Sequence, residues 1–364
     1  MNNAQLTSYL NNGIKDLVAG VLKSTLSNPK ESTFLLKFIS SAEKNAKKRE
    51  VYEAGGLHVP AFLIASITNS CNLFCTGCYA RANGICGEKS HANTLPADKW
   101  SDLFSQASEL GVSFCLLAGG EPLLRKDVIE QAAKNPEIIF PIFTNGTVID
   151  NEYIKMFDKY RNLIPVFSIE GGKEQTDARR GTGTYDKIIA AIKALGKKKI
   201  LFGTSVTVTT QNLDEITSDE FLKNLSDLGN RLVFYIEYVP ADGKTELAPT
   251  EKERKYIDEK LNLLREKYNK MMFLSFPGDE QYMGGCLAAG RGFFHIGPDG
   301  AAEACPFSPY SDTDLKKSTL KQALSSPFFR ALQERGLSGG QHDGGCTLFE
   351  NEAAVIECLK RCSK

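Results

Sequence analysis

The 364-residue sequence has no excess of charge of either sign and no apolar run long enough to span a membrane. It carries 44 acidic and 44 basic residues, so its formal net charge is zero and no overall field favours nucleic acid or an anionic membrane. Two basic runs, Lys47-Lys48-Arg49 and Lys197-Lys198-Lys199, are typical of solvated helix faces. We therefore expect neither a nucleic acid nor a membrane as a partner.

A secretion signal, internal repeats and low-complexity tracts are also missing from the sequence. Met1-Asn2-Asn3-Ala4-Gln5 is not a basic segment followed by an apolar core, so we expect a cytoplasmic protein. In that compartment, ten cysteines at clustered spacings predict metal ligation rather than disulfides. A hydrophobic content of 42% is sufficient for a large domain plus a smaller one.

The most informative group of residues is the C-x3-C-x2-C run of Cys71, Cys75 and Cys78. Three thiolates on one short loop can bind three irons of a 4Fe-4S cube and leave the fourth iron open to a small molecule. A structural zinc site normally has four protein ligands. Zinc binding and simple burial of the thiols are the alternatives at this point.

The hydrophobic pattern predicts a helical N-terminal segment, an α/β domain and a small C-terminal domain, with the ranges 1–58, 59–271 and 272–364. In the middle range, short apolar runs alternate with amphipathic helices, which predicts a parallel sheet with right-handed crossovers. The predicted strands are 61–68, 112–118, 138–144, 164–169, 200–208 and 232–239. The N-terminal helical pattern rests on Leu17, Val18, Val21, Leu22, Leu26, Phe34, Leu35, Phe38 and Ile39.

The second predicted strand ends in Gly119-Gly120-Glu121-Pro122. Two glycines allow the backbone to approach a ligand closely, and strand-end carbonyls and a carboxylate accept hydrogen bonds from an ammonium group. A glycine pair alone is more typical of a tight turn. Its position at a strand end downstream of the three cysteines favours a binding role.

With these two motifs the chain resembles the radical S-adenosylmethionine (SAM) superfamily. The resemblance implies an open, partial (β/α)6 barrel of the TIM type, with the site at the C-terminal ends of the strands. It also implies a 4Fe-4S cluster on Cys71, Cys75 and Cys78, whose open iron holds SAM and cleaves it reductively to a 5′-deoxyadenosyl radical. The Gly119-Gly120-Glu121-Pro122 run would bind the SAM amino group, and flavodoxin or ferredoxin would supply the electron.

The same resemblance assigns SAM-binding roles to residues at further strand ends. Relatives with Ser-x-Asp-Gly at the fourth strand use it near the ribose, and this chain has Ser168 and Glu170 there. A guanidinium suits a carboxylate, so Arg180 or Arg179 is predicted to pair with the SAM carboxylate, with surface salt bridging as the alternative. Gly77 stands where the family usually has an aromatic residue, and Tyr79 is the expected substitute. Three more residues are predicted to face the cofactor: Thr144, Asn145 and Ser205.

The C-terminal cysteines resemble the opening of the SPASM and twitch extensions, which carry auxiliary iron-sulfur clusters. Cys286 is followed by Gly300-Ala-Ala-Glu-Ala-Cys305 and then by Gly344-Gly345-Cys346. The dense cysteine block of a full SPASM domain is missing, so the twitch form with one auxiliary 4Fe-4S cluster fits better, in a small α+β domain. Cys358 or Cys362 is the expected fourth ligand unless one iron stays open, and zinc is the alternative metal.

Three further residues of possible chemistry lie outside these motifs. Cys86 follows the first cysteine group and is predicted to donate a hydrogen atom or tether a substrate, with an ordinary loop residue as the alternative. Cys115 is predicted to be core. His295 lies between C-terminal cysteines, where it would tune a cluster or pack against it.

We therefore expect a radical SAM enzyme that abstracts hydrogen from a peptide or small-molecule substrate, aided by an auxiliary cluster. One alternative is a non-catalytic iron-sulfur protein that transfers electrons or carries clusters. Such a protein needs no SAM pocket, so the glycine motif and the polar strand ends argue against it. The other alternative is a zinc-stabilised binding module, which needs only the cysteines.

Overall fold

One open sheet of mainly parallel strands organises the chain. In the computed structural model, residues 5–11, 13, 14, 20, 22, 28–87, 93–340 and 345–362 are described. Within these residues nine strands lie in the order β7-β6-β5-β4-β3-β2-β1-β8-β9, and all neighbouring pairs are parallel except β8 and β9. The strands are β1 Phe62–Thr68, β2 Phe114–Gly119, β3 Phe140–Thr144, β4 Leu163–Ser168, β5 Gly203–Val208, β6 Leu232–Glu237, β7 Met272–Phe276, β8 His295–Ile296 and β9 Ala302–Glu303.

Helices separate successive strands from β1 to β7, as expected for right-handed crossover units. No described helix has the length and apolarity that a membrane crossing requires. The helices are α1 Pro29–Ala54, α2 Tyr79–Ala82, α3 Ala97–Leu110, α4 Lys126–Ala132, α5 Asn151–Lys159, α6 Lys173–Arg180, α7 Thr184–Lys197, α8 Leu213–Ile216, α9 Asp219–Asp227, α10 Glu251–Lys267, α11 Leu320–Leu324, α12 Pro327–Glu334, α13 Thr347–Glu350 and α14 Glu352–Cys362.

The α/β partial-barrel prediction is confirmed, and all six predicted strands are present. Their apolar runs were recognisable because parallel strands are buried on both faces. The sheet nevertheless continues beyond residue 271, since β7 pairs in parallel with β6. At the other edge, β8 adds to β1. The range 272–364 therefore contributes β7 to one edge of the barrel sheet and β8 and β9 to the other.

Helix α1 closes the end of the barrel opposite the carboxyl ends of the strands. Leu35 and Phe38 pack in one buried cluster with interior side chains of β4 and β6, including Val166 and Leu232. The Asn45 side-chain amide donates to the carbonyls of Val112 and Glu137, each at 3.2 Å, in the chain just before β2 and β3. The helix therefore acts as a plug at the amino ends of the strands.

The predicted helical character of the first 58 residues is only partly covered by the described residues. Those between residues 5 and 22 that the structure describes are helical, and Leu6 is fully buried. Residues 1–4 and Leu17, Val18, Val21 and Leu26 lie outside the described residues.

A buried polar chain joins the C-terminal segment to β1. His295 Nε2 lies 2.7 Å from Ser66 Oγ, and His295 Nδ1 lies 2.6 Å from Glu303 Oε2. All three residues are buried. Because buried polar groups need partners, these hydrogen bonds fix β8 and β9 against β1. His295 is therefore a packing residue where β8 meets β1.

Candidate active site

A cavity of about 290 Å³ lies at the carboxyl ends of the strands, and both cysteine groups border it. This is the position expected for the site of a barrel of parallel strands. Its apolar wall includes Phe62, Ile64, Leu116, Phe143, Phe234 and Ile236. The bordering cysteines are Cys71, Cys75 and Cys78 of the first group and Cys286, Cys305 and Cys346 of the C-terminal group.

The first cysteine loop is held by the end of β2. Gly120 N–H donates to Thr68 O at 2.8 Å, and Glu121 N–H donates to Ser70 O at 2.7 Å. A Cβ at Gly120 would collide with the Ser70 carbonyl, and one at Gly119 would collide with that of Thr68. The glycine pair therefore allows the strand end to pack directly against the chain that leads into Cys71.

The Glu121 carboxylate is buried and ties the ends of β2 and β3 together. Its Oε1 accepts from Leu123 N–H at 3.0 Å and from Thr144 Oγ1 at 2.7 Å, and its Oε2 accepts from Asn145 N–H at 2.7 Å. Burial raises the pKa of Glu121, although these donors act in the opposite direction. A carboxylate has about four acceptor positions, so one is left for a ligand in the cavity that Glu121 borders.

Asn145 connects the end of β3 to the cysteine loop. Its side-chain amide donates to Asn72 Oδ1 at 2.9 Å, and Asn72 in turn donates to Thr147 Oγ1 at 2.8 Å. Asn145 borders the cavity, whereas Thr144 is buried behind it. Pro122 starts the short 3-10 turn Pro122–Leu124 after Glu121 and is likewise buried.

The polar residues at the end of β4 divide between the cavity and the protein interior. Ser168 and Ser205 are register partners, their hydroxyl oxygens lie 3.3 Å apart, and both border the cavity. Glu170 is almost fully buried, and it is not among the described residues that border the cavity. The predicted ribose contact thus has a cavity-facing residue in Ser168 but not in Glu170.

Glu170 instead holds two arginines at the cavity wall. Arg179 Nη1 and Arg180 Nε donate to Glu170 Oε1 at 2.6 and 2.7 Å, and Thr207 N–H donates to Oε2 at 3.0 Å. Burial by itself raises the pKa of Glu170, but the two guanidiniums outweigh it and hold that pKa below its usual value. Arg180 also extends to within 4.0 Å of Cys75 Sγ. Positive charge therefore faces the cavity beside the cysteine loop.

Tyr238 occupies the space that Gly77 leaves. Gly77 has φ +70, and a Cβ there would lie 2.6 Å from the Tyr238 ring. Tyr238 follows β6 and borders the cavity, so an aromatic side chain lies at this position although the cysteine motif lacks one. No sequence signal pointed to Tyr238, because it is 161 positions away and only the fold brings it close.

The three C-terminal cysteines converge at the wall of the cavity. Cys305 and Cys346 are joined by a side-chain hydrogen bond, which with burial raises the pKa of Cys305. Burial likewise raises the pKa of Cys286, and Cys346 is among the neighbouring charges that add to the effect. Between the two cysteine groups, the rings of Tyr79 and Phe307 meet edge to face at 4.9 Å.

Cys358 does not join this group. It lies in α14, is fully buried in the core, and interacts with Arg335, which follows α12. Neither Cys358 nor Cys362 is among the described residues that border the cavity. The helix from Cys346 onward is interrupted between α13 and α14, and Cys358 stays several turns beyond.

Cys86 and Cys115 are both buried. The Cys86 thiol is hydrogen-bonded to that of Cys71, and this bond lowers the pKa of Cys86. Cys86 is not among the described cavity-bordering residues, so a direct role toward a substrate gains no geometric support. Cys115 lies within β2 and belongs to the main core cluster, as predicted from the sequence.

The donor set of the first cysteine group fits an iron-sulfur cluster. Three thiolates on one loop are ligands of the kind that bind a four-iron cube, and the spare acceptor on Glu121 lies beside them for an amino-acid-like ligand. Among the described residues, no three His, Cys, Asp or Glu side chains are arranged around one metal ion.

Comparison with known proteins agrees with this geometry. Residues 65–222 match the model of the Radical SAM superfamily. An AdoMet-dependent heme synthase of Methanosarcina barkeri is 25% identical over 331 residues, which cover 84% of this chain and 92% of that protein. The mycofactocin maturase MftC of Mycolicibacterium smegmatis is 27% identical over 320 residues, covering 80% and 79%. The crystal structure of Streptococcus suis SuiB bound to S-adenosylmethionine has a TM-score of 0.67 at 18% identity, covering 86% and 80%.

Residues 65–222 form a radical SAM domain. The protein is a radical SAM enzyme, and a 4Fe-4S cluster and SAM are the cofactors that this domain implies, as the sequence motifs predicted. The non-catalytic interpretation is not favoured, because the curated relatives above are a synthase and a maturase.

Proposed function

We propose that this enzyme abstracts a hydrogen atom from a substrate bound between two iron-sulfur clusters, one on each wall of the cavity. The observation that carries the proposal is that Cys71, Cys75 and Cys78 and the C-terminal cysteines border the same cavity. When bound, the first cluster and SAM supply a one-electron route to a radical that removes hydrogen from the substrate. The protein's own part is to orient SAM, exclude water and hold the substrate.

The SAM-binding roles follow from side chains that border the cavity. Glu121 accepts from the SAM amino group with its remaining acceptor position, beside Gly119 and Gly120. Arg180 or Arg179 pairs with the SAM carboxylate, since a guanidinium binds a carboxylate in a fork. Ser168 and Ser205 are placed for hydroxyl contacts.

Two of the assigned residues act through neighbours rather than on the cofactor. Thr144 orients Glu121, and Glu170 orients the two arginines. Tyr238 provides the aromatic surface that the cysteine motif itself lacks at Gly77. An aromatic ring there offers a face for stacking with the adenine of SAM.

The second cluster is bound by Cys286, Cys305 and Cys346. Support comes from their convergence at the wall of the cavity. This cluster aids the reaction by anchoring the substrate or by taking an electron from it. The rings of Tyr79 and Phe307 lie between the two cysteine groups. We propose that they form part of the surface against which the substrate binds.

Flavodoxin or ferredoxin is the proposed reductant of the first cluster. Its loop has an outer surface at which Phe74 is 67% exposed, while Asn72 and Thr76 are also exposed. An electron-transfer protein therefore has access to the cluster side of the loop without entering the cavity.

The substrate is a peptide or a small molecule. SuiB has been crystallised with its precursor peptide SuiA, and MftC is named a maturase, whereas the Methanosarcina barkeri relative is named a heme synthase. Here α1 packs at the end of the barrel opposite the cavity. Among the described residues, the surface that we propose to recognise the substrate is the cavity wall.

The first test is anaerobic reconstitution followed by incubation with dithionite and SAM, with chromatography for 5′-deoxyadenosine. We expect product from the wild type and none from a Cys71→Ala/Cys75→Ala/Cys78→Ala variant. That variant should still bind about four irons per chain if the second cluster is present. A Cys115→Ala variant, which changes a core cysteine away from both groups, is the matched control and should keep both properties.

Two results would count against the proposal. Formation of 5′-deoxyadenosine by the triple variant would show that the first cysteine group is not needed for SAM cleavage. A triple variant without iron would show that the protein has no second cluster and is a radical SAM enzyme with one cluster.

A further inference from the structure

A buried carboxylate lies next to the C-terminal cysteine group. Glu280 is in the 3-10 turn Gly278–Met283, after β7, is only 5% exposed and borders the cavity. Gly285 N–H donates to the Glu280 carbonyl at 2.9 Å, which folds the chain back so that Cys286 follows close by. The turn thereby brings a cysteine and a glutamate to the same part of the cavity wall.

The Glu280 side chain is directed at this cysteine turn. Its carboxylate accepts a hydrogen bond from Leu287 N–H, the amide directly after Cys286. Arg291 fixes the same turn by donating to the carbonyls of Met283, Gly285 and Cys286 at 2.6, 2.9 and 3.1 Å. The carboxylate and the Cys286 thiol are thus held together in a rigid, buried segment.

The Glu280 carboxylate is close enough to the Cys286 thiol for the two groups to interact electrostatically, and the Arg291 guanidinium is a further neighbour. A carboxylate buried at a cavity wall is a suitable ligand for a metal centre that the adjacent cysteine helps to hold, because a bound cation stabilises a carboxylate.

The cysteines expected to complete the C-terminal site are not available for it. Cys358 is enclosed in the core against Arg335, and Cys362 lies one helical turn farther along α14. Glu280, in contrast, is a described residue that borders the cavity with Cys286, Cys305 and Cys346. Carboxylates bind iron in other protein sites, so the donor type is suitable.

We propose that Glu280 is the fourth ligand of the C-terminal cluster and binds, through a carboxylate oxygen, the iron that Cys286, Cys305 and Cys346 leave uncovered. This proposal rests on the second cluster of the proposed function. It gives that cluster four protein ligands, so the substrate does not bind its iron directly. The cluster then serves as an electron acceptor rather than as a substrate anchor.

The test uses the full-length chain with Cys71, Cys75 and Cys78 changed to alanine, so that only the C-terminal cluster remains. Glu280→Gln, Glu280→Cys and Cys358→Ala are each added to this parent. Iron and sulfide per chain are measured, and EPR spectra are recorded after mild oxidation with ferricyanide. Circular dichroism confirms that each variant is folded.

We expect the parent to keep about four irons and to show no three-iron signal, because every iron has a protein ligand. Glu280→Gln replaces the carboxylate by a neutral amide, which is a much poorer iron ligand, at nearly constant volume, so about one iron in four should be lost and a three-iron EPR signal should appear. Glu280→Cys should keep the four-iron cluster, and Cys358→Ala should match the parent.

Several outcomes overturn the proposal. A three-iron signal in the oxidised parent would mean an open iron, and an unchanged Glu280→Gln spectrum would exclude Glu280 as a ligand. A three-iron signal from Cys358→Ala would assign the ligand to Cys358. If Glu280→Gln lost all iron, recovery by Glu280→Cys would support ligation, and no recovery would contradict it. An iron-free parent would instead refute the second cluster itself, which separates that failure from failure of the Glu280 assignment.

Discussion

At the scale of single residues, the absence of a side chain at Gly120 is required by the packing of the cysteine loop. An alanine Cβ would overlap the Ser70 carbonyl, which belongs to backbone and cannot turn aside. We expect Gly120→Ala to displace the loop that leads into Cys71, with an overpacking cost of about 1–3 kcal/mol. In a Cys286→Ala/Cys305→Ala/Cys346→Ala background, iron bound after reconstitution should fall, and SAM affinity measured by calorimetry should fall with it.

Gly87→Ala is the matched control for this prediction. A Cβ at Gly87 meets nothing within 4 Å, and the residue follows the same cysteine loop in the sequence. It should bind iron and SAM as the parent does. Equal iron content and SAM affinity in the two glycine variants would mean that the close approach at Gly120 does not matter.

The sequence could identify the residue types of the site but not all their partners. The Gly119-Gly120-Glu121-Pro122 motif predicted the strand end correctly, yet nothing in it indicates that Glu121 binds Thr144 and the Asn145 amide. The same limit applies to Gly77, whose missing side chain is offset by Tyr238. Both contacts depend on neighbouring strands, which the local pattern cannot specify.

At the scale of secondary structure elements, α1 is fastened by an ion pair near its start. Arg161 Nη1 donates to Glu31 Oε2 at 2.8 Å, and both side chains are buried. Removing the guanidinium in Arg161→Ala leaves Glu31 as an uncompensated buried charge, at a cost of about 3–5 kcal/mol. The midpoint of urea unfolding should therefore decrease clearly.

This loss should depend on pH in a defined direction. Burial raises the pKa of Glu31 and Arg161 opposes that rise, so Arg161→Ala should raise it further. An acid whose pKa is higher in the folded state binds more protons there, and its stability contribution decreases as pH rises above the unfolded pKa. The variant should consequently be more destabilised at pH 8 than at pH 5.

Lys30→Ala is the control for the Arg161 variant. It removes a pair to Asp158 in which the lysine side chain is 63% exposed, and such surface pairs contribute about 0–1 kcal/mol. Similar unfolding midpoints for Lys30→Ala and Arg161→Ala would contradict the importance of the buried pair, as would a pH-independent loss.

The elements differ in how far their sequence predicts them. The six strands were identified because continuous apolar runs alternate with amphipathic helices. The position of α1 at the amino ends of the strands could not be predicted in this way. Periodicity shows that Leu35 and Phe38 belong to an apolar face, but it does not show which part of the protein that face packs against. Strand β7 begins where a domain boundary was predicted, yet it belongs to the barrel sheet. A change in the sequence pattern indicates that a new segment begins, but it does not indicate which edge of the sheet that segment joins.

At the scale of the whole molecule, the barrel and the C-terminal cysteine segment are joined through Glu237 at the end of β6. Its Oε1 accepts from Arg254 Nε and Nη2 at 2.8 and 2.6 Å. The Gly345 N–H, directly before Cys346, also donates to this carboxylate. Burial raises the pKa of Glu237, and Arg254 opposes the rise. Glu237 is thus a buried acid whose carboxylate contacts both Arg254 and the chain next to Cys346.

Because Cys346 follows this joint, Glu237 should control the second cysteine group without touching the first. Glu237→Gln weakens the bonds to Arg254 and to the Gly345 amide, since a neutral amide is a poorer acceptor than a carboxylate. We expect faster hydrogen exchange over residues 345–350 and less iron at the C-terminal site, while 5′-deoxyadenosine formation in the absence of substrate is unchanged. Glu246→Gln, an exposed carboxylate in the loop after β6, should alter neither. Loss of deoxyadenosine formation in Glu237→Gln would instead mean that the two walls of the cavity form one cooperative unit, so that the radical site depends on the C-terminal segment.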